Sequence, residues 1–175
     1  MYIRTSEGLG QTHLPSTYGT PCWQDKIPID VINDAVSEGN GKGLTEFHFR
    51  ESKLRTKHKA WIKNHFVPAI VKSWQTTSPI RTIILVGYSD EIGGQLFNYN
   101  LGLERAKAVR KEIVDRIKKE NPDLLGKIKF ELFSKGECWP MITSGNRERE
   151  NRWVWVAATN QMLSQAQSPA PSRSP

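Results

Sequence analysis

The residues best suited to bind a small charged group lie in GYSDEIGGQLFNYNLGLERAKAV, residues 87–109. Asp90 follows a strongly apolar run, and Arg105 lies fifteen positions later, where a helix could carry it back to the same end of the fold. A carboxylate accepts hydrogen bonds from an ammonium group, and a guanidinium forks onto a carboxylate. The backbone at Gly93 and Gly94 can approach a ligand closely because glycine has no side chain. These residues predict a socket for the zwitterionic centre of an amino acid.

The same residues also allow two purely structural interpretations. Asp90 and Arg105 could pair with each other across the loop, or Asp90 could cap a turn. Charged pairs between a loop and a helix are common in proteins that have no ligand there, so both interpretations stay open on the residues alone.

The sequence contains no motif that is typical of a catalytic site or of cofactor binding. Ser89 lies in GYSDE and lacks the second glycine of a nucleophile elbow, and neither cysteine accompanies a histidine in a known signature. The stretch GYSDEIGG has neither phosphate-loop spacing and carries two acidic residues where a phosphate would lie. We therefore expect no catalytic residue and no cofactor.

A metal site is not expected either. The histidines form no H-E-x-x-H motif and no zinc-type spacing with cysteine, and we expect His58 and His65 on or beside a helix surface. Cys22 and Cys138 exclude a four-cysteine zinc site and leave either two ordinary thiols or a single bridge.

Composition bounds the size and the class of the protein. A chain of 175 residues with 37% hydrophobic residues can bury one core, so we expect one domain with tails. Its 25 lysines and arginines against 18 acidic residues give a formal net charge of +7, which suits an acidic partner such as nucleic acid, an anionic lipid or an anionic polymer. No signal-peptide core is visible, and no stretch approaches the about 18 apolar residues of a membrane span.

Hydrophobic periodicity predicts one packed domain with the order β-α-β-α-β-β, an α+β sandwich whose helices pack on one mixed sheet. Residues 1–43 are expected to be a loosely structured lead-in with at most a helical turn around PIDVINDAV, 44–158 the domain, and 159–175 a disordered tail. The predicted elements are a strand at LTEFHFR, a helix over KLRTKHKAWIKNHFVPAIVKSW, a buried strand at IRTIILVG, a helix over residues 98–120, and strands at KIKFELF and WVWVA.

Three details of the two helices can be predicted as well. Pro68 should kink the first helix or begin a new helical segment. In the second helix Arg105 should lie at the edge of the apolar stripe, and Arg110 falls inside the stripe and must extend outward.

The stretch at residues 87–109 resembles the signature of the OmpA-like domain family, a periplasmic peptidoglycan-binding module. The family pattern runs G-[HY]-[ST]-D-x-x-G-x-x-x-[YF]-N-x-x-L-S-x-x-R-A-x-x-V, and eleven residues of this chain fall in register without a gap. They are Gly87, Tyr88, Ser89, Asp90, Gly93, Phe97, Asn98, Leu101, Arg105, Ala106 and Val109. FHFRESKL, KGECWP and RERENRWVWV are similar to further family segments, so the resemblance covers about residues 44–157.

The resemblance implies how a ligand would be held. The residues matching Asp90 and Arg105 would bind the diaminopimelate centre of the peptide stem, assisted by Asn98, by Ser89 and by the loop amides at Gly93 and Gly94. Arg152 would take part as a further contact.

Three positions depart from the family pattern. Gly102 replaces the usual serine and should loosen the start of the helix. Arg50 stands where the first strand usually ends in Asp or Asn, and Trp153 replaces an arginine; both are expected to alter the rim of the groove.

The expected function is therefore noncovalent binding of diaminopimelate-type peptidoglycan in the periplasm or cell envelope, by a protein that anchors itself or a larger envelope, secretion or contractile assembly and is not an enzyme. The alternative is a basic nucleic-acid-binding or phage-like structural protein that keeps the fold, although the basic residues are dispersed and no aromatic platform motif is present. A cell-wall hydrolase is a third hypothesis and lacks a visible catalytic acid and metal.

Overall fold

The computed structural model describes residues 27–138 and 149–163, which form one four-stranded mixed sheet with helices on both faces. The elements in chain order are α1 (Ile29–Ser37), β1 (Gly41–Leu44), α2 (Thr56–Trp61), a π-helical segment (Ile62–Phe66), α3 (Val67–Ser73), β2 (Thr82–Tyr88), α4 (Gln95–Glu120), a 3-10 turn (Pro122–Leu124), β3 (Lys129–Gly136) and β4 (Val154–Thr159).

The sheet is built around β2, whose seven residues are all buried. Its β-branched run suits a strand that is covered on both faces, as the sequence predicted. The strand order is β1-β4-β2-β3, with β2 parallel to β3 and antiparallel to β4, and β1 antiparallel to β4. The predicted α+β class and single mixed sheet are confirmed.

The larger core lies between one face of the sheet and the helices α2 to α4. Residues 83 and 85 of β2 face this core, and α4 contributes the predicted apolar stripe at helical spacing. The stripe residues are Ala106, Val109, Ile113 and Ile117. Arg110 extends outward as expected, with its guanidinium 5.5 Å from the ring centre of Phe130.

The first long helix changes its winding just before Pro68. Proline has no N–H and cannot complete the hydrogen bond to the preceding turn. A π-helical segment at Ile62–Phe66 precedes α3, which carries Pro68 in its first turn. The helix therefore restarts at proline, which is one of the two outcomes that the sequence predicted.

The second face of the sheet is covered by α1, a helix within the segment for which the sequence predicts a loosely structured lead-in. Ile32 and Ala35 of α1 are buried against Trp155 and Ala157 of β4. The assignment of residues 1–43 as a lead-in is wrong for residues 29–43, because this helix and β1 bury apolar surface on the sheet. Residues 1–26 lie outside the described part.

The strand predicted at LTEFHFR is also wrong, because β1 ends at Leu44 and the chain then leaves the sheet. Glu46 and Arg50 have positive φ angles of 66° and 55°, which break an extended strand. Phe47 nevertheless reaches the core, with 1% of its surface exposed, so its alternation with Phe49 reflects an irregular loop and not a strand. We call residues 45–55, between β1 and α2, the cover loop.

The C-terminal prediction concerns residues 159–175. Thr159 is the last residue of β4, and residues 164–175 lie outside the described part. The disordered tail therefore stays a prediction.

Candidate ligand-binding site

Asp90 lies just beyond the carboxyl end of β2 and is 2% exposed. The strand end is fixed by two backbone bonds, from Tyr88 N–H to Trp153 O at 2.9 Å and from Ser89 N–H to Gly136 O at 2.7 Å. The Asp90 carboxylate is therefore held at the meeting point of β2, β3 and the segment before β4.

Helix α4 presents Asn98, Gly102 and Arg105 on the face toward this strand end, as spacings of four and seven residues require. The two backbones approach closely here, because a Cβ at Gly87 would lie 1.8 Å from the carbonyl oxygen of Gly102. Only glycine fits at such a contact. The contact places Arg105, one turn after Gly102, beside the end of β2.

Arg105 is fully buried and lies beneath the cover loop, not at the edge of the apolar stripe as predicted. Its Nη1 donates to Tyr88 O at 2.7 Å, its Nε to Glu51 O at 2.9 Å and its Nη2 to His48 O at 3.2 Å. The guanidinium thus joins α4, β2 and the cover loop. These bonds could not be predicted from the sequence, because all three acceptors are backbone carbonyls.

The charges of Asp90, Arg105 and Arg152 act on one another. Burial lowers the pKa of Arg105 to about 10, the Asp90 carboxylate opposes this shift, and the like charge of Arg152 adds to it. Arg152 is 6% exposed, and its Nε lies 3.8 Å from Asp90 Oδ2. The structure therefore brings together the three charged residues that the sequence had singled out.

The cover loop is held in place by an ion cluster around Glu46. The Glu46 carboxylate lies 2.9 Å from Arg55 Nη1, 2.5 Å from Lys57 Nζ and 3.8 Å from Arg149 Nη2. Lys57, which donates a hydrogen bond, contributes most to lowering the pKa of Glu46. The cluster lies at the surface, where ion pairs contribute little stability. It therefore orients the cover loop without fixing it in one position.

His58 gives the cover loop a second anchor. It is 2% exposed, which corrects the expectation of a surface position, and its ring lies 4.6 Å from that of Phe47. Its Nε2 lies 2.8 Å from Thr45 O, and its Nδ1 accepts a hydrogen bond from Arg55 N–H at 3.3 Å. These partners fit a neutral ring with its proton on Nε2. His65 is exposed, as expected.

Asn98 lies in the first turn of α4 and is fully buried. Its Nδ2 donates to Glu137 Oε2, and among the described residues its Oδ1 has no hydrogen-bond partner. Burial raises the pKa of Glu137, the Asn98 bond opposes this, and the charge of Glu91 adds to it. Gly93, with a φ of 126°, brings the loop backbone next to this amide.

The remaining predicted site residues differ in exposure. Ser89 is buried, and its hydroxyl donates to Asp90 O at 3.2 Å, so it supports the loop from inside. Gly93 and Gly94 are exposed, and Gly94 is the N-cap of α4. The loop amides are thus the most accessible part of the predicted set.

Two of the departures from the family pattern have a different effect from the one expected. Gly102 does not loosen the helix, because it is the contact point with Gly87 and a Cβ there would lie 2.3 Å from Ser134 Oγ. Trp153 is 6% exposed and stacks on Tyr88 at 4.2 Å between ring centres, so it belongs to the core beneath α1 and not to the rim.

An open depression of about 370 Å³ adjoins the cover loop beside Arg105. Its lining includes His48 and Glu51, whose carbonyls hold the Arg105 guanidinium. The other lining residues are Lys53, Leu54, Arg55 and Thr56. A ligand in this depression would lie on the outer side of the same loop turn that covers Arg105.

Within residues 27–138 and 149–163, no group of three or more His, Cys, Asp or Glu side chains could hold a metal ion. No helix in this part of the chain is long and apolar enough to cross a membrane. Cys138 is not a free thiol, and Cys22 lies outside the described residues, so their pairing stays a prediction.

Comparison with solved structures identifies the fold. The peptidoglycan-associated lipoprotein from Burkholderia pseudomallei matches with a TM-score of 0.51 and 23% identity, over 67% of this chain and 90% of that one. The OmpA-like domain of FopA1 from Francisella tularensis matches at 0.47 and 22% identity, over 69% and 75% of the two chains. The C-terminal domain of Helicobacter pylori MotB matches at 0.45 and 18% identity, over 66% and 84%.

Sequence comparison adds nothing to this result, since no family model and no curated protein matches the chain. The structural likeness to the lipoprotein nonetheless establishes an OmpA-like fold for this protein, as the motif at residues 87–109 predicted.

Proposed function

We propose that this protein binds peptidoglycan noncovalently, through the diaminopimelate centre of the peptide stem, and that it anchors itself or an assembly to the cell wall without acting as an enzyme. The observation that carries the proposal is a buried set of charges at the end of β2, where the Asp90 carboxylate acts on the Arg105 guanidinium and lies 3.8 Å from Arg152 Nε. The OmpA-like fold, shared with a peptidoglycan-associated lipoprotein, supports the same class of ligand.

The charges suit a ligand that carries both signs. An amino-acid centre offers an ammonium group for Asp90 and a carboxylate for a guanidinium. Burial makes the charged form of Arg105 costly, and a second negative group would relieve that cost. Asn98 Oδ1, which is buried next to Gly93, adds a neutral acceptor.

Access to Arg105 depends on the cover loop. Three of the five guanidinium N–H groups donate to carbonyls at Tyr88, His48 and Glu51. Two of those acceptors lie in the loop turn that also lines the open depression. A ligand carboxylate would replace the loop carbonyls as the turn moves outward, while the bond to Tyr88 O keeps the guanidinium aimed at the site.

The nucleic-acid alternative has no comparable support. Nucleic-acid binding requires lysines and arginines that face an open surface as a patch or stripe. On the described surface, several of them are instead paired with acidic side chains. These pairs are Lys107–Glu104, Lys111–Asp115, Arg116–Glu112 and Lys129–Glu131.

Co-sedimentation with purified sacculi tests the proposal. The parent should sediment with diaminopimelate-type sacculi and less with lysine-type sacculi, because lysine lacks the second carboxylate. Asp90→Asn keeps the shape of the side chain and removes its charge, so it should weaken binding about tenfold or more.

Asp115→Asn is the matched control, since Asp115 is a partly exposed carboxylate on α4 paired with Lys111. It should bind like the parent. Equal sedimentation with both wall types, or undiminished binding by a folded Asp90→Asn variant, would refute the zwitterion site. No sedimentation by the parent would refute wall binding altogether.

A further inference from the structure

We propose that Arg50 forms a second anion-binding contact, which recognises the free α-carboxylate of the glutamate that precedes diaminopimelate in the peptide stem. The proposal rests on the proposed function and makes it more specific. It assigns a ligand contact to a position where the family pattern has an acidic or amide residue.

Arg50 lies between two aromatic rings at the surface. Its Cζ is 5.2 Å from the ring centre of Phe49 and 5.6 Å from that of Phe97. Phe97 is 45% exposed, and its neighbour Leu96 is 57% exposed. Two ring contacts restrict the long arginine side chain, so less rotational freedom is lost when it binds an anion.

A continuous set of contacts leads from this surface to the buried site. Arg152 Nε lies 3.8 Å from Asp90 Oδ2. Arg152 Cζ lies 6.0 Å from the ring centre of Phe49, and Arg50 contacts the same ring. The glutamate is joined through its γ-carboxyl, and the zwitterionic centre lies at the far end of the diaminopimelate side chain, so about nine bonds separate the two centres, a span of roughly 11 Å when extended at about 1.25 Å per bond. A ligand of that length held at Asp90 can extend across Phe49 to the Arg50 guanidinium.

The charge of Arg50 is available to a ligand. The side chain is exposed, and within the described part of the chain no carboxylate lies within ion-pairing distance of it. Glu46, the acidic residue of the same loop, is already held by Arg55 and Lys57. The exposed apolar edge of Phe97 and Leu96 beside the cation suits a ligand that combines a carboxylate with an aliphatic chain.

The test uses two soluble ligands that differ in one group. They are the tripeptide L-alanyl-γ-D-glutamyl-diaminopimelate and the same peptide with the glutamate α-carboxylate converted to an amide. The parent should bind the free acid about two- to fivefold more tightly than the amide, as expected for one exposed ion pair. Calorimetric titration gives both affinities.

The variant is Arg50→Asn, because asparagine tolerates the positive φ at this position and has no charge. It should bind acid and amide equally. Arg110→Asn is the matched control, since Arg110 is also an exposed arginine over a phenylalanine ring, on a part of α4 that faces Phe130. It should keep the preference of the parent.

The outcomes separate this proposal from the wall-binding proposal. Equal binding of both tripeptides by the parent, or an unchanged preference in Arg50→Asn, would overturn the role of Arg50 and leave wall binding in place. Binding of sacculi without either tripeptide would overturn both the Arg50 contact and the zwitterion site. A parent that binds neither sacculi nor tripeptides would overturn the whole proposed function.

Discussion

The guanidinium of Arg105 donates to the carbonyl oxygen of Tyr88 at 2.7 Å, two residues before Asp90. This bond joins the middle of α4 to the end of β2, and two further bonds from the same side chain hold the cover loop. Arg105, which we propose binds the ligand, therefore also stabilises the fold.

Arg105→Ala should therefore lose stability as well as binding. The buried carbonyl of Tyr88 and the partly buried carbonyls of His48 and Glu51 would lose their donor, and the free energy of unfolding should fall by on the order of 2–5 kcal/mol. Urea unfolding measures the change, and Arg110→Ala on the exposed side of the same helix should stay within about 0.5 kcal/mol of the parent. Equal stability of Arg105→Ala and the parent would contradict the observed bonds.

Gly87→Ala should destabilise the protein strongly. The added methyl group would lie 1.8 Å from the Gly102 carbonyl oxygen, so strand and helix must separate. Overpacking of this kind costs about 1–3 kcal/mol or more. Gly126→Ala is the control, because a Cβ there meets nothing within 4 Å. Thermal melts of both variants decide the matter, and similar melting temperatures would argue against the close contact.

His58 should make stability depend on pH. Burial, the largest cause, lowers its pKa below the ordinary value of 6.5. The unfolded chain therefore takes up a proton more readily than the folded one, so the His58 contribution is complete above pH 6.5 and is lost as pH falls from there through the folded pKa.

The measurement is urea unfolding between about pH 7.5 and 5. His58→Gln should flatten the slope of stability below pH 6.5, whereas His65→Gln, at an exposed position, should retain it. A slope that survives in His58→Gln would assign the pH dependence to other groups.

Helix α1 should contribute to the stability of the whole domain. Ile32 is fully buried against the sheet face that carries Trp155, and Ile→Ala in a core costs about 2–5 kcal/mol. Asp34→Ala, at an exposed position of the same helix, should change little. If Ile32→Ala unfolds at the urea concentration of the parent, α1 packs too loosely to belong to the core.

A bridge between Cys22 and Cys138 remains a separate prediction. Such a long loop should gain about 2–4 kcal/mol from one disulfide in an oxidising compartment. Thiol counting under denaturing, non-reducing conditions should find no free thiol, and a count of two would exclude the bridge.

Secondary structure could be predicted most accurately for segments whose apolar pattern matches the way they are buried in the fold. The continuous apolar run of β2 and the stripe at Ala106, Val109 and Ile113 report burial directly, so both elements were found. The seven-residue spacing of Asn98 and Arg105 placed them on one helix face, where the structure has them.

The errors come from contacts that no local pattern records. The strand β1, Gly41–Leu44, contains two glycines and a lysine and exists through its pairing with β4. The spacing of Ile29, Ile32 and Val36 did carry a helical signal, which the neighbouring glycine- and proline-rich residues obscured. The backbone acceptors of Arg105 carry no side-chain signature, so its complete burial could not be predicted.

The position of β4 between β1 and β2 also governs how the chain can fold. β1 pairs with residues 154–157, more than a hundred positions later, while β2 and β3 can pair across α4 as soon as residue 136 is available. Contacts of such large sequence separation form late and slow the folding rate. During synthesis, β1 and one edge of β2 therefore stay unpaired until β4 has been made. Unpaired strand edges promote aggregation, so the chain is most prone to aggregate in this interval.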